Sequence, residues 1–155
     1  MDREFKNHKE LVFVGRTKEI LSAMPEDVRR QVGHALHRAQ AGEKHHNAKP
    51  LTGPKEFKGG KAMEIVADHN TDTYRGIYTI EYPEGIYVVD VFQKKSKRGI
   101  ETPKEDIDRI VGRLKRLREE RITPAGQENI EALQRRWALR QAEVDRRKVK
   151  SHEPN

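Results

Sequence analysis

Between residues 62 and 93 three β-patterned runs follow one another, at 62–67, 73–82 and 86–93, with only short joints between them. The first joint, 68–72, carries Asp68, Asn70 and Asp72, and the second, 83–85, carries Pro83 and Gly85. These residue types make turns, and joints this short connect only antiparallel neighbours, because a parallel return needs a dozen or more residues. An antiparallel meander of three strands is therefore the part around which the rest of the chain must be arranged.

Upstream, Leu11-Val12-Phe13-Val14 reads as a strand ended by Gly15. Thr17 is expected to cap a short helix holding Ile20 and Leu21. Pro25 stands at the expected first position of a second helix, with Glu26 and Asp27 in its acidic first turn. Val28, Val32, Ala35, Leu36 and Ala39 fall on one helical face and Gly42 supplies a stop, so the pair reads as two antiparallel helices with a short joint. Residues 43–60 form a basic loop in which Lys49-Pro50-Leu51 is an extended stretch. Downstream, Thr102-Pro103-Lys104-Glu105 has capping-box spacing, and Ile107, Ile110, Val111, Leu114 and Leu117 continue as an amphipathic helix to about Glu120. Two N-terminal helices on a small twisted sheet, followed by C-terminal helices, make the expected class α+β, with the helices on one face of a small mixed sheet.

Thr123-Pro124 restarts a helix with a thin apolar stripe of Ile130, Leu133, Trp137 and Val144, suited to packing on the domain, a sister chain or a partner. The expected organisation is a flexible N-terminus over 1–10, a domain over 11–121 and a helical extension over 122–155 with a frayed end.

Charge narrows the partners. The chain has 155 residues, 32 Lys plus Arg against 25 Asp plus Glu, and a formal net charge of +7. Such a balance favours an anionic partner, nucleic acid first and an acidic protein second. With no cysteine, disulfides, thiolate zinc sites and thiol nucleophiles are excluded. No apolar run approaches the roughly 20 residues that span a bilayer, and the N-terminus lacks a secretory apolar segment. A cytoplasmic protein without membrane association is expected. His34, His37, His45 and His46 are read as surface or boundary histidines; no metal and no cofactor are expected.

The cations are concentrated where the third meander strand ends. Four of the five residues Lys94-Lys95-Ser96-Lys97-Arg98 are basic, and they lie between a strand and a capped helix. Taken by itself such a run is most often a solvated turn. Held on fixed backbone, it can grip a phosphate in one pose.

Several runs in a fixed order resemble the RelE/ParE toxin superfamily, and within it the HigB-like, phage-derived branch. They are Lys49-Pro50-Leu51 with Gly53, Met63-Glu64-Ile65, Tyr74-Arg75-Gly76-Ile77-Tyr78, and Val91 through Arg98 leading to Thr102-Pro103. The resemblance covers roughly 11–120 and implies a compact domain with two helices packed on a twisted antiparallel sheet. It implies a toxin of a type II toxin–antitoxin system: a ribosome-dependent endoribonuclease that cuts messenger RNA and stops translation. It also implies a cognate antitoxin, often a helix-turn-helix protein, with operator DNA bound only through the toxin–antitoxin complex.

Metal-independent RNA cleavage uses the 2′-hydroxyl as nucleophile and needs a base, cations for the phosphorane charge and an acid for the 5′-oxygen. Arg75 is assigned phosphate stabilisation, because its planar fork holds two oxygens at once. Lys94 and Lys95 are proton-transfer candidates, of which strand alternation turns one toward the site. Glu64 is either a base or the ion-pair partner that holds Arg75. Lys58 and Lys61 are expected to enter the first meander strand and clamp the RNA backbone, and Lys97 and Arg98 to touch ribosomal RNA. The sequence departs from superfamily members that carry a C-terminal Tyr or His-Tyr pair: its last tyrosine is Tyr87 and its one later histidine is His152. Two alternatives stay open, a non-enzymatic gyrase-inhibiting toxin of ParE type and a plain basic nucleic-acid-binding module.

Overall fold

The meander expected from 62–93 is present, and it forms the centre of a five-stranded sheet. The structure is a computed structural model and describes residues 7–94 and 102–151. In chain order the elements are β1 (Glu10–Phe13), α1 (Thr17–Ser22), α2 (Glu26–Gln40), β2 (Ala48–Pro50), a 3₁₀ turn (Lys55–Phe57), β3 (Met63–His69), β4 (Asp72–Thr79), β5 (Gly85–Lys94), α3 (Lys104–Arg121) and α4 (Pro124–Ser151). The strand order is β1-β5-β4-β3-β2, with β1 parallel to β5 and every other pair antiparallel. The class is α+β, as expected; the sheet is mixed, where the resemblance implied an antiparallel one, because β1 adds to the meander parallel to β5. The β3–β4 turn places Asn70 at φ 55°, a left-handed conformation that asparagine tolerates.

The helices, however, lie on both faces rather than one. Val28, Val32, Ala35, Leu36 and Ala39 of α2 bury against Ile65, Ala67, Tyr74, Tyr78, Ile86, Val88 and Val91. Ile110, Leu114 and Leu117 of α3 bury on the opposite face with Phe57, Ala62, Ile77, Tyr82, Tyr87 and Val89. Strand alternation explains this, since neighbours in β4 and β5 send apolar side chains to opposite faces. Runs apolar at every position are covered on both sides. Each of the three α3 side chains contributes about 1.5–3 kcal/mol by leaving water. A bulge opposite Ile77–Tyr78 inserts Val89, after which Asp90 also faces α3. Arg109 and Arg113, one helical turn apart, close on Asp90 at 2.9 and 2.8 Å and staple α3 to the sheet.

Three local readings change. Thr17 is the first residue of α1 rather than its cap, and its buried hydroxyl faces the Val88 carbonyl at 3.5 Å. Pro25 precedes α2 as its cap instead of opening it. Lys49-Pro50, read as a stretch within a basic loop, belongs to an edge strand of its own, where proline is tolerated because no ladder partner needs its missing N–H. Lys58 and Lys61 consequently lie in the loop before β3, beside Gly59 and Gly60 at φ 74° and 81°, and not within the strand.

Thr123 and Pro124 restart the last helix as expected. The Thr123 hydroxyl accepts from the Gly126 N–H at 3.0 Å and Pro124 takes the first helical position. Ile130 and Leu133 bury on the domain itself, while Trp137 remains partly exposed. Further along, Arg140 pairs with Glu10 and donates to the His8 carbonyl, and Asn7 donates to the Trp137 carbonyl. The corner between α3 and α4 is tight. A Cβ on Gly126 would stand 2.0 Å from the Glu120 carbonyl oxygen and 2.9 Å from the Arg121 Cα. Gly126→Ala is therefore expected to cost about 1–3 kcal/mol and to loosen α4 first, seen as faster proteolysis after Thr123 with the sheet still folded. Unchanged proteolysis and melting would show that the corner yields. Among the described residues no helix is long and apolar enough to cross a membrane.

Candidate functional site

Alternation and register decide which polar residues share a face. Glu64 stands opposite Ile77, Arg75 opposite Phe92, and Thr73 opposite Lys94. All of these point to the α3 side. Glu64, Arg75 and Lys94 are buried, although each carries a charge. A buried charge survives only when paired. Arg75 Nη1 lies 2.8 Å from Glu64 Oε2, with the two side chains 4% and 3% exposed.

Two residues that sequence reasoning left out complete the cluster. The Thr102 hydroxyl donates to Glu64 Oε2 at 2.9 Å. α3 begins at Lys104 with Pro103 as its cap and no side-chain cap bond, so the capping-box reading of Thr102 is replaced. A bond to a carboxylate is about twice as strong as one between neutral groups, which is why the hydroxyl goes there. Lys49, paired in register with Glu64 across β2–β3, holds its Nζ 3.8 Å from Glu64 Oε1. Lys49 was visible in one of the resemblance-carrying runs, but nothing local says that β2 pairs with β3. Thr102 was visible only as a cap.

The structure thus brings Arg75, Glu64 and Lys94 to one face. Lys58 is exposed and Lys61 half-buried in the loop before β3. Lys95, Lys97 and Arg98 lie outside the described residues. Phe92 stands opposite Arg75 on β5, and the Arg109 guanidinium sits 5.0 Å from the centre of its ring. A groove of 560 Å³ between β1, α3 and α4 contains none of these cations; the cluster lies buried on the α3 face of the central strands. Among the described residues no group of three or more His, Asp or Glu is placed to hold a metal ion.

A family described as phage derived protein Gp49-like (DUF891) matches residues 19–115, more than half of the chain. The chain belongs to this family. Gp49-like proteins fall within the RelE/HigB-like toxin group. The match runs from α1 into α3 and takes in the whole Glu64–Arg75–Lys94 face, while α4 lies beyond it. No curated protein matches the chain.

Proposed function

We propose that this Gp49-like chain is the toxin of a toxin–antitoxin pair and acts as a ribosome-dependent messenger-RNA endoribonuclease. The observation that carries the reading is the placing of Glu64, Arg75 and Lys94 on one face of the sheet, with Lys94 at the strand end from which the basic run departs. Net positive charge supports both an RNA target and an acidic antitoxin.

In this reading the 2′-oxygen attacks the adjacent phosphorus. The bond to the 5′-oxygen breaks, leaving a cyclic phosphate and a 5′-hydroxyl. The 2′-proton leaves to a base and another reaches the 5′-oxygen from an acid, so charge and protons balance. Arg75 supplies positive charge to the phosphorane oxygens. Glu64 is engaged by Arg75 and Thr102 through one oxygen, which suits holding Arg75 rather than taking a proton. Lys94 and Lys95 remain the proton-transfer candidates. Lys58 and Lys61 would steady the RNA backbone, and Lys97 and Arg98 the ribosomal contact. The partners are a cognate antitoxin, the ribosome and its message, with operator DNA reached only through the antitoxin complex.

Brief induction in cells followed by mapping of messenger-RNA 5′ ends tests this. New ends within translated codons, reproduced by purified chain only when ribosomes are added, are expected. Intact transcripts together with inhibited supercoiling would replace the nuclease with a gyrase-directed toxin.

A further inference from the structure

The nuclease reading leaves open how a buried guanidinium meets RNA, and β2 suggests what precedes it. We infer that Lys49 is the cation that first receives the RNA backbone, holding a phosphate of the same strand outside the scissile linkage; this rests on the reading of the site as RNA-directed.

Three observations point there. Lys49 is 50% exposed, while its carboxylate partner Glu64 is 3% exposed. Its Nζ, at 3.8 Å from Glu64 Oε1, is oriented by the carboxylate yet outside hydrogen-bond range. Finally, Glu64 does not depend on it: Oε2 already takes Arg75 at 2.8 Å and Thr102 at 2.9 Å. A phosphate oxygen can therefore claim the Lys49 ammonium without stranding a buried charge. Because the ammonium is half exposed and its contact with Glu64 is longer than a hydrogen bond, this exchange costs less than one at a fully buried pair. Burial makes the same exchange costly for Arg75.

Position assigns the phosphate. Lys49 shares a row with Glu64, Ile77 and Asp90, so Lys94, three strands across and four residues further along β5, starts roughly 19 Å away. The two lysines thus address different stretches of one strand of RNA. Lys49 acts in binding and not in the chemical step. β2 is short, and Ala48 and Pro50 fix its register against Ile65 and Met63. The lysine is in this way presented on sheet backbone, not on a free loop.

The probe is a single-stranded RNA 12-mer carrying 2′-O-methyl groups, so that no cleavage occurs, titrated at several salt concentrations against the full chain. Lys49→Ala is expected to reduce the slope of log K against log salt by about 0.7, one phosphate contact on a single strand. Lys49→Arg should restore it. Lys115→Ala, which removes an exposed charge from α3, should leave the slope nearly unchanged. On ribosomes Lys49→Ala should raise KM severalfold while kcat stays close to wild type. An unchanged slope in Lys49→Ala, or an equal loss in Lys115→Ala, would overturn the inference, as would a fall in kcat with KM constant. A wild-type chain that binds the probe with this Lys49 dependence but leaves transcripts intact would retain the contact and lose the nuclease. A wild-type chain that does not bind the probe leaves Lys49 no phosphate to hold and ends the inference, whatever the 5′-end map shows.

Discussion

Arg75→Ala is expected to abolish RNA cleavage and also to destabilise the fold by about 3–5 kcal/mol. The second effect follows from burial. Glu64, 3% exposed, would be left buried without its 2.8 Å partner. Thr102 and the more distant Lys49 soften the loss and place it toward the lower end. Loss of toxicity in the alanine variant would therefore be ambiguous, and Arg75→Lys is the better probe. Lysine keeps a positive charge beside Glu64, so the domain should stay folded, with a smaller drop in urea midpoint. It lacks the planar fork that spans two phosphate oxygens. Cleavage on ribosomes should then fall by about 10²–10³-fold, the usual cost of one lost transition-state donor. Wild-type cleavage by a folded Arg75→Lys variant would remove Arg75 from the reaction. Adding Glu64→Gln to Arg75→Ala removes the stranded carboxyl and should recover part of the loss, and the cycle of four proteins isolates the pair energy.

The second large effect lies away from the site, where α3 ends. Glu84 has no exposed side-chain surface, and Arg121 grips both of its oxygens, at 2.7 and 2.9 Å. The Tyr87 hydroxyl donates to the same carboxylate at 2.6 Å. The Arg121 guanidinium also lies 3.7 Å from the centre of the Tyr82 ring. Arg121→Ala leaves a fully buried carboxylate with one tyrosine, and about 3–5 kcal/mol of stability should be lost. At about 2–4 °C per kcal/mol for a chain of this size, Tm should fall by roughly 6–20 °C. A melt within 2 °C of wild type, an arbitrary margin of roughly 1 kcal/mol, would contradict this.

The same cluster sets a pH dependence at both ends. Burial pushes the Glu84 carboxyl up, but the bonds from Arg121 and Tyr87 outweigh it and hold the group below its ordinary 4.5. Its contribution is therefore complete above pH 4.5 and is lost as pH falls through the depressed folded value. Tyr87 moves the other way. Burial first, then Glu84, raises its hydroxyl above the ordinary 10. Its contribution is complete below pH 10 and disappears as pH rises beyond it. Urea midpoints measured across pH should show both limbs. Tyr87→Phe should reduce the alkaline limb while leaving Arg121 on Glu84, the rest coming from Tyr78 and Tyr82, whose hydroxyls burial also raises.

Much of the fold was legible because its signals are local. The α2 stripe from Val28 to Ala39 is buried throughout, and in the α3 stripe Ile110, Leu114 and Leu117 are buried while Ile107 and Val111 are partly so. The three meander strands and the Thr123-Pro124 restart were also readable, because turn chemistry and capping act within a few residues. The candidate site was legible in part. Arg75, Glu64 and Lys94 could be named as types suited to phosphate chemistry, yet nothing local said that they share a face.

Contacts between distant residues were decided only by the tertiary structure. Thr102 and Glu64 are 38 positions apart, and Arg121 and Glu84 are 37 apart. The capping-box spacing at Thr102 predicted a backbone partner, but folding brought a buried carboxylate within reach, and the charged acceptor won. β2 became a strand because β3 offered it an edge, and α3 crossed to the second face because β4 and β5 are apolar on both sides. Periodicity and turn residues describe the energy of a segment with itself, whereas pairing, burial and the faces of a sheet depend on which other segments arrive beside it.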